Sequence, residues 1–350
     1  TLSQLTGLPS SILDERQGFD LDGLRGLFRR RVMGQSEAID CLVERVAMIK
    51  AGVTDPTRPQ GVFLFAGPTG TGKTEIAKTL AEFLFGSPER MIRLDMSEFQ
   101  EPASINRLLG EPEEAKGDAL VDLIRNDPFS VVLLDEFEKA HPNVWDLFLQ
   151  VFDDGRLTDR SGNTADFRNA IIIMTSNLGS RIAAGASLGF TERTGQFSEV
   201  TVQREVKNAF RPEFLNRLDR VVVFRPLGRD TMREILRKDL TEAFERRGLR
   251  NRTWAVEWDE SALEFLLEKG FTADLGARPL KRAIERHVLV PLATAIVEHS
   301  YPEGDQFLFV RMHDDRLIAE FVDPDSPDHG SATGEALSLI HISEPTRPTT

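Results

Sequence analysis

The stretch GVFLFAGPTGTGKTEIAKTLAEFLF, residues 61–85, decides the fold. Its first six residues are an apolar run without polar alternation, which fits a strand buried on both faces. The next eight, Gly67, Pro68, Thr69, Gly70, Thr71, Gly72, Lys73 and Thr74, form the glycine-rich turn whose backbone N–H groups close around phosphates. TEIAKTLAEFLF then carries the helical apolar period. Strand, turn and helix in that order are the context in which this motif grips a nucleotide at a helix N-terminus. The spacing predicts ATP as ligand, with Lys73 neutralising the β and γ oxygens and the Thr74 hydroxyl ligating Mg²⁺.

Further along, VVLLDE (131–136) is a second buried run, and it ends in two carboxylates. Such a pair places Asp135 near the metal and Glu136 where it can orient and deprotonate a water, which fits hydrolysis rather than mere binding. MIRLDM (91–96), AIIIMTS (170–176) and RVVVF (220–224) complete a set of five apolar runs spaced by helical patterns. The expected fold class is therefore α/β, a parallel sheet covered on both faces, over Arg31 to Pro226. From Leu227 the texture changes to amphipathic helices, with strand-like pieces near Val256 and at QFLFVRM, predicting a smaller, mostly helical domain to Val322.

Composition narrows the partners. Lys+Arg 43 against Asp+Glu 56 gives a net charge of -13, which repels phosphate backbones and anionic membranes. Basic stripes and aromatic stacking clusters are also missing, so a nucleic-acid motor is disfavoured. No apolar run reaches the length of a membrane span. The single cysteine, Cys41, sits among Leu42 and Val43 as a small buried hydrophobe, and a soluble protein of a reducing compartment, the cytoplasm, is expected.

The ordered segments RVMGQSEAI, GPTGTGKTEIAK, IRLDMSEF, LLDEFEKAHPNVWDLFLQVFDDGRLTD, FRNAIIIMTSNLG, FRPEFLNRLD and GARPLKRAIE resemble the second ATPase domain of the Clp/heat-shock AAA+ chaperones (ClpA/ClpB/ClpC-like). The resemblance covers Leu5 to about Val322. It implies an AAA+ fold with a helical lid, Mg²⁺-dependent ATP hydrolysis, assembly into a homo-oligomeric, hexameric ring, and protein substrates. It also implies roles for single residues. Asn177 resembles the sensor that holds the attacking water and γ-phosphate, Arg217 the arginine finger that reaches a neighbour's nucleotide, and Arg278 the lid's sensor arginine. Val32 and Met33 would flank adenine, where two apolar residues before a helix otherwise read as packing. LSQLTGLPSSIL, within residues 1–30, resembles the connector from an upstream ATPase ring, so a fragment is expected.

Two loops bear on what such a ring does. Where the family carries a glycine-flanked aromatic that grips polypeptide, this chain has GEPEEAKGD (110–118), with Glu111, Glu113, Glu114, Lys116 and Asp118 and no ring at all. The helix behind it, ALVDLIRND, is expected to be capped by Asp118. Two functions follow: a ring that unfolds or remodels proteins, or an ATP-switched scaffold that binds a fixed partner without threading it. Leu188, Gly189 and Phe190 lie in a Gly/Ser/Ala-rich loop and read either as a docking tip, resembling the loop that engages a ClpP-type peptidase, or as a turn tucked against the domain. Residues 323–350 are expected to be a disordered tail, and from 337 LSLIHISEPTRPTT reads as translated sequencing adapter.

Overall fold

A computed structural model describes residues 19–110, 119–179, 197–246, 249, 254–270, 276–298, 306–313, 316–322 and 339–342. The residues divide into two compact units, one ending at Pro226 and one beginning at Leu227.

In the first unit, α1 (Leu21–Arg31) and α2 (Ser36–Lys50) precede β1 (Gly61–Ala66) and α3 (Lys73–Phe85). Then come β2 (Met91–Asp95), α4 (Ile105–Leu109), α5 (Leu120–Asn126), β3 (Val131–Asp135) and α6 (Pro142–Asp154). A small hairpin of β4 (Arg156–Thr158) and β5 (Thr164–Asp166) leads to β6 (Ile171–Ser176), α7 (Glu199–Ala209), α8 (Pro212–Leu215) and β7 (Arg220–Val223). Five strands pair in parallel in the order β2-β3-β6-β1-β7.

The unalternating apolar runs are explained by the two cores they serve. Val62 and Leu64 of β1, Val132 and Leu134 of β3, and Ile172 and Met174 of β6 enter one core with Phe148, Val202 and Phe214. Their alternates Phe63, Phe65, Val131, Leu133, Ile171 and Ile173 enter the other, with Phe28, Leu42 and Leu80. Each strand is thus apolar on both faces. Cys41 is buried in the second core, which raises its thiol pKa by desolvation. Register aligns the carboxyl ends: Ala66 pairs with Ser176, and Asp95 with Asp135. The groups that follow these strands therefore share one edge of the sheet, where ligands bind in open α/β folds.

The second unit contains α9 (Arg229–Phe244), β8 (Trp254–Trp258), α10 (Glu260–Gly270), α11 (Arg278–Ile284) and α12 (Val290–Val297), the last two joined by a π-helical turn, Glu285–Leu289. Met232, Leu236, Leu263, Leu266, Leu280 and Val288 fill its core. It carries more strand than expected. β8 pairs in parallel with β9 (Gln306–His313), which pairs antiparallel with β10 (Arg316–Val322). The tail also departs from expectation, because Leu339–Ile342 forms β11 on the edge of β10. An edge strand offers unpaired N–H and C=O groups, and the β-prone segment LIHI satisfies them. One capping expectation is corrected too: Ala119 occupies the N-cap position of α5 and makes no side-chain cap, while Asp118 lies outside the described residues.

Candidate active site

The glycine-rich turn connects the buried end of β1 to α3. Gly67, with φ 145°, comes so close to β7's end that an added Cβ would stand 2.3 Å from the Phe224 carbonyl oxygen. Gly72, with φ 103°, is the left-handed N-cap of α3. Only glycine accepts both demands. The first N–H groups of α3 have no intrahelical acceptors and face the turn, with the positive end of the helix dipole behind them. Thr71 Oγ1 braces the loop on the Pro68 carbonyl at 2.9 Å. Lys73, 7% exposed, donates from Nζ to the Gly67 and Pro68 carbonyls at 2.7 and 2.8 Å. Such a buried cation on neutral acceptors suits an arriving polyphosphate.

Asn177 joins this loop to the acidic pair. Its Oδ1 accepts from Lys73 Nζ at 3.3 Å and Thr69 Oγ1 at 3.1 Å, while its Nδ2 donates to Glu136 Oε1 at 2.8 Å. Glu136 is the one non-glycine residue with positive φ among the described residues, at φ 57° and ψ 47°. That left-handed turn, which disfavours a side chain, aims the carboxylate back at Asn177 rather than along the strand. Its other oxygen pairs with Lys139, and this hydrogen bond holds the ammonium's pKa above its ordinary value. Asp135 accepts from Thr175 Oγ1 and from Arg93 Nη2, the latter at 2.6 Å.

Thr74 stands in the first turn of α3, half-buried, and with Asp135 it offers the hydroxyl and carboxylate oxygens that a hard cation takes. Among the described residues no group of three or more His, Cys, Asp or Glu could hold a metal alone. That donor set fits Mg²⁺, which binds through one or two protein oxygens plus substrate phosphates. Val32 is buried, its Cγ1 3.0 Å from where a Cβ of Gly72 would lie, and Met33 is half-buried.

Arg217 follows α8, on the turn into β7. Its guanidinium pairs with Asp153 at 3.1 Å, and both side chains are substantially exposed. Beneath it Phe214 stacks on Phe137 at 5.4 Å, directly after Glu136 in sequence, and on Phe210 at 5.4 Å. The aromatic stack ties the acidic turn to the arginine turn. Arg278 is the first residue of α11 in the second unit. Leu188, Gly189 and Phe190 lie outside the described residues, as does most of the acidic loop. That loop's two ends meet: a Cβ on Gly110 would be 3.3 Å from Ala119 Cβ.

Several residues escaped the sequence reading. Glu138 Oε1 accepts the Asn177 backbone N–H at 3.0 Å, and buried Gln35 binds the Thr71 and Arg225 carbonyls at 3.3 and 2.9 Å. Arg93, Lys139 and Thr175 complete the set. All fall inside the quoted motifs, but isolated charged and polar residues there read as solvated.

A P-loop on a parallel sheet, an acidic pair, a bridging asparagine and a separate C-terminal unit define the AAA+ ATPase class. Residues 58–221 match the family described as AAA domain (Cdc48 subfamily), and residues 227–309 the C-terminal, D2-small domain of ClpB protein. The chain belongs to the Clp/heat-shock AAA+ ATPases, as their C-terminal ATPase domain. It is 45% identical over 311 residues to chaperone protein ClpB of Vibrio cholerae, covering 88% of this chain and 36% of that protein. With ClpB of Aquifex aeolicus the identity is 45% over 312 residues, covering 87% and 31%. The chain therefore spans about a third of the length of these relatives. Among solved structures, a closed-state cryo-EM reconstruction of Hsp104 with ATPγS and FITC casein aligns with TM-score 0.78 at 35% identity, over 91% of this chain and 54% of that one. An S. cerevisiae Hsp104-ADP complex aligns with TM-score 0.76 at 35% identity, over 90% and 55%.

Proposed function

We propose that this chain hydrolyses ATP at the P-loop edge and uses the cycle, in a hexameric ring of like subunits, to unfold or remodel proteins. The observation that carries the reading is Asn177, whose one side chain touches both Lys73 and Glu136. Phosphate binding and water activation are thereby held in one geometry. Lys73 and the N-terminus of α3 hold the β and γ phosphates, Asn177 positions water against the γ-phosphate, and Glu136 takes its proton. A Mg²⁺ held by Thr74 and Asp135 would neutralise phosphate charge during transfer. In this reading Arg217 serves a neighbour's nucleotide, Arg278 acts as the lid's sensor arginine, and Val32 and Met33 flank adenine.

The relatives named chaperone ClpB support protein remodelling, and the Hsp104 structure with casein supports a polypeptide substrate. They lend nothing to the scaffold alternative. Peptidase docking through Leu188 to Phe190 likewise gains no support. The acidic loop sets the expected manner of working. Its carboxylates prefer water and cannot supply the sequence-tolerant apolar contact of an aromatic. ATP-driven unfolding of a tagged globular protein tests this. The chain should hydrolyse ATP yet pull weakly, and a loop rebuilt with flanking glycines and Glu113→Tyr should raise unfolding far more than basal turnover. Efficient threading by the unaltered chain would contradict the loop's assigned weakness.

A further inference from the structure

Arg58 lies three residues before β1 and acts at a distance from the phosphate site. Its Nε donates to the Phe152 carbonyl at 2.9 Å and its Nη2 to the Arg217 carbonyl at 2.8 Å. We infer that Arg58 is a positioning residue for the arginine finger, fixing the backbone of the Arg217 turn so that its guanidinium leaves the subunit in one direction. This rests on the reading that Arg217 serves a neighbouring subunit's nucleotide.

The turn needs such a device. α8 has four residues, too few to hold a helical turn unaided. Two clamps supply the rigidity. On one side Asp219 exchanges hydrogen bonds with Val62, its N–H donating to the carbonyl at 2.9 Å and its Oδ2 accepting from the N–H at 2.7 Å, and it also pairs with Arg45. On the other side stands Arg58, whose planar fork spans the last turn of α6 and the finger's own carbonyl. Phe152 sits among the helix's terminal carbonyls, which lack intrahelical donors and favour a cation. A lysine ammonium cannot reproduce that fork.

The finger's side chain is held differently. Its pairing with Asp153 joins two side chains 49% and 37% exposed, a surface contact that a phosphate can displace. Fixed backbone and lightly held guanidinium suit a group that must reach outward. If Arg58 merely tied down the end of α6, its bond to the Arg217 carbonyl would have no consequence for a neighbour.

Mixed assemblies of the full chain separate these roles. Arg217→Ala subunits retain their engine, and Glu136→Gln subunits retain their finger. Mixing them should raise ATP turnover above the sum of the two alone; no rise overturns the trans reading itself, and the present inference with it. With Arg58→Met added to the Glu136→Gln subunits the rise should shrink roughly 10- to 100-fold, the scale of a misplaced catalytic group. With Arg58→Met added instead to the Arg217→Ala subunits the rise should persist. A full rise with the altered donor overturns the role of Arg58 while leaving the finger in place. Equal loss in both placements, or failure of the donor to co-sediment, overturns it in favour of a general structural role. Arg58→Lys in the donor should give an intermediate rise, and equality with the unaltered donor contradicts the two-carbonyl clamp.

Discussion

At Glu136 the backbone turns left-handed, and the side chain meets Asn177 on one oxygen and Lys139 on the other. Glu136 meets the phosphate loop through Asn177, and a glutamine oxygen can still accept that amide, so removing the negative charge should spare binding. Glu136→Gln is expected to lower turnover by about 10² to 10⁴, the usual worth of a general base, with nucleotide affinity unchanged in fluorescent-nucleotide titration. Near-normal hydrolysis would remove Glu136 from its role. The residues that carry this chemistry were legible because P-loop and acidic pair impose unusual residue types at fixed spacing. Glu138, Gln35 and Arg58 were not, because each acts on a backbone group distant in sequence. Glu138 reaches Asn177 and Gln35 reaches Arg225, and no local pattern encodes such pairings.

Among the elements, α8 shows how packing decides what periodicity cannot. Its four residues carry no helical signal worth reading, yet Phe214 is buried, stacked on Phe137 and Phe210, with Phe152 tilted against it. Phe214→Ala should destabilise the first unit by about 3–5 kcal/mol, measured by denaturant unfolding, and should lower turnover through both turns it supports. In the second unit α9 and α10 are zipped by Glu264, which accepts from Arg233 and Arg229 and whose pKa is thereby lowered. A carboxylate stabilised in the folded state contributes above its ordinary pKa and loses that contribution as pH falls through the lowered value. Unfolding free energy measured against pH should therefore be slightly lower in Glu264→Gln near neutrality, and the gap should close as acid protonates Glu264 in the unaltered chain. Identical pH profiles would remove the pair from the stability of the second unit. Strands β1, β3 and β6 were plain in the sequence because burial on both faces strips polar residues from them. β10 and β11 were not: their pairing is set by the edge left open beside β9, which depends on the fold already being formed.

At the scale of the whole molecule, the proposed role of Arg217 in a neighbour's site would make the single subunit an incomplete catalyst. On the proposed reading, the parallel sheet would supply one half of each site and a neighbour's Arg217 the charge that phosphoryl transfer requires. The net charge of -13 opposes assembly at long range, so rings should form more readily as salt screens it. Steady-state ATP turnover per subunit, measured against protein concentration for the unaltered chain and for Arg217→Ala, tests this most directly. Turnover should climb as rings appear by sedimentation velocity, and Arg217→Ala should flatten the climb while still binding nucleotide. Turnover per subunit that is constant from the dilute monomer to the assembled ring, and equal in both proteins, would contradict the account.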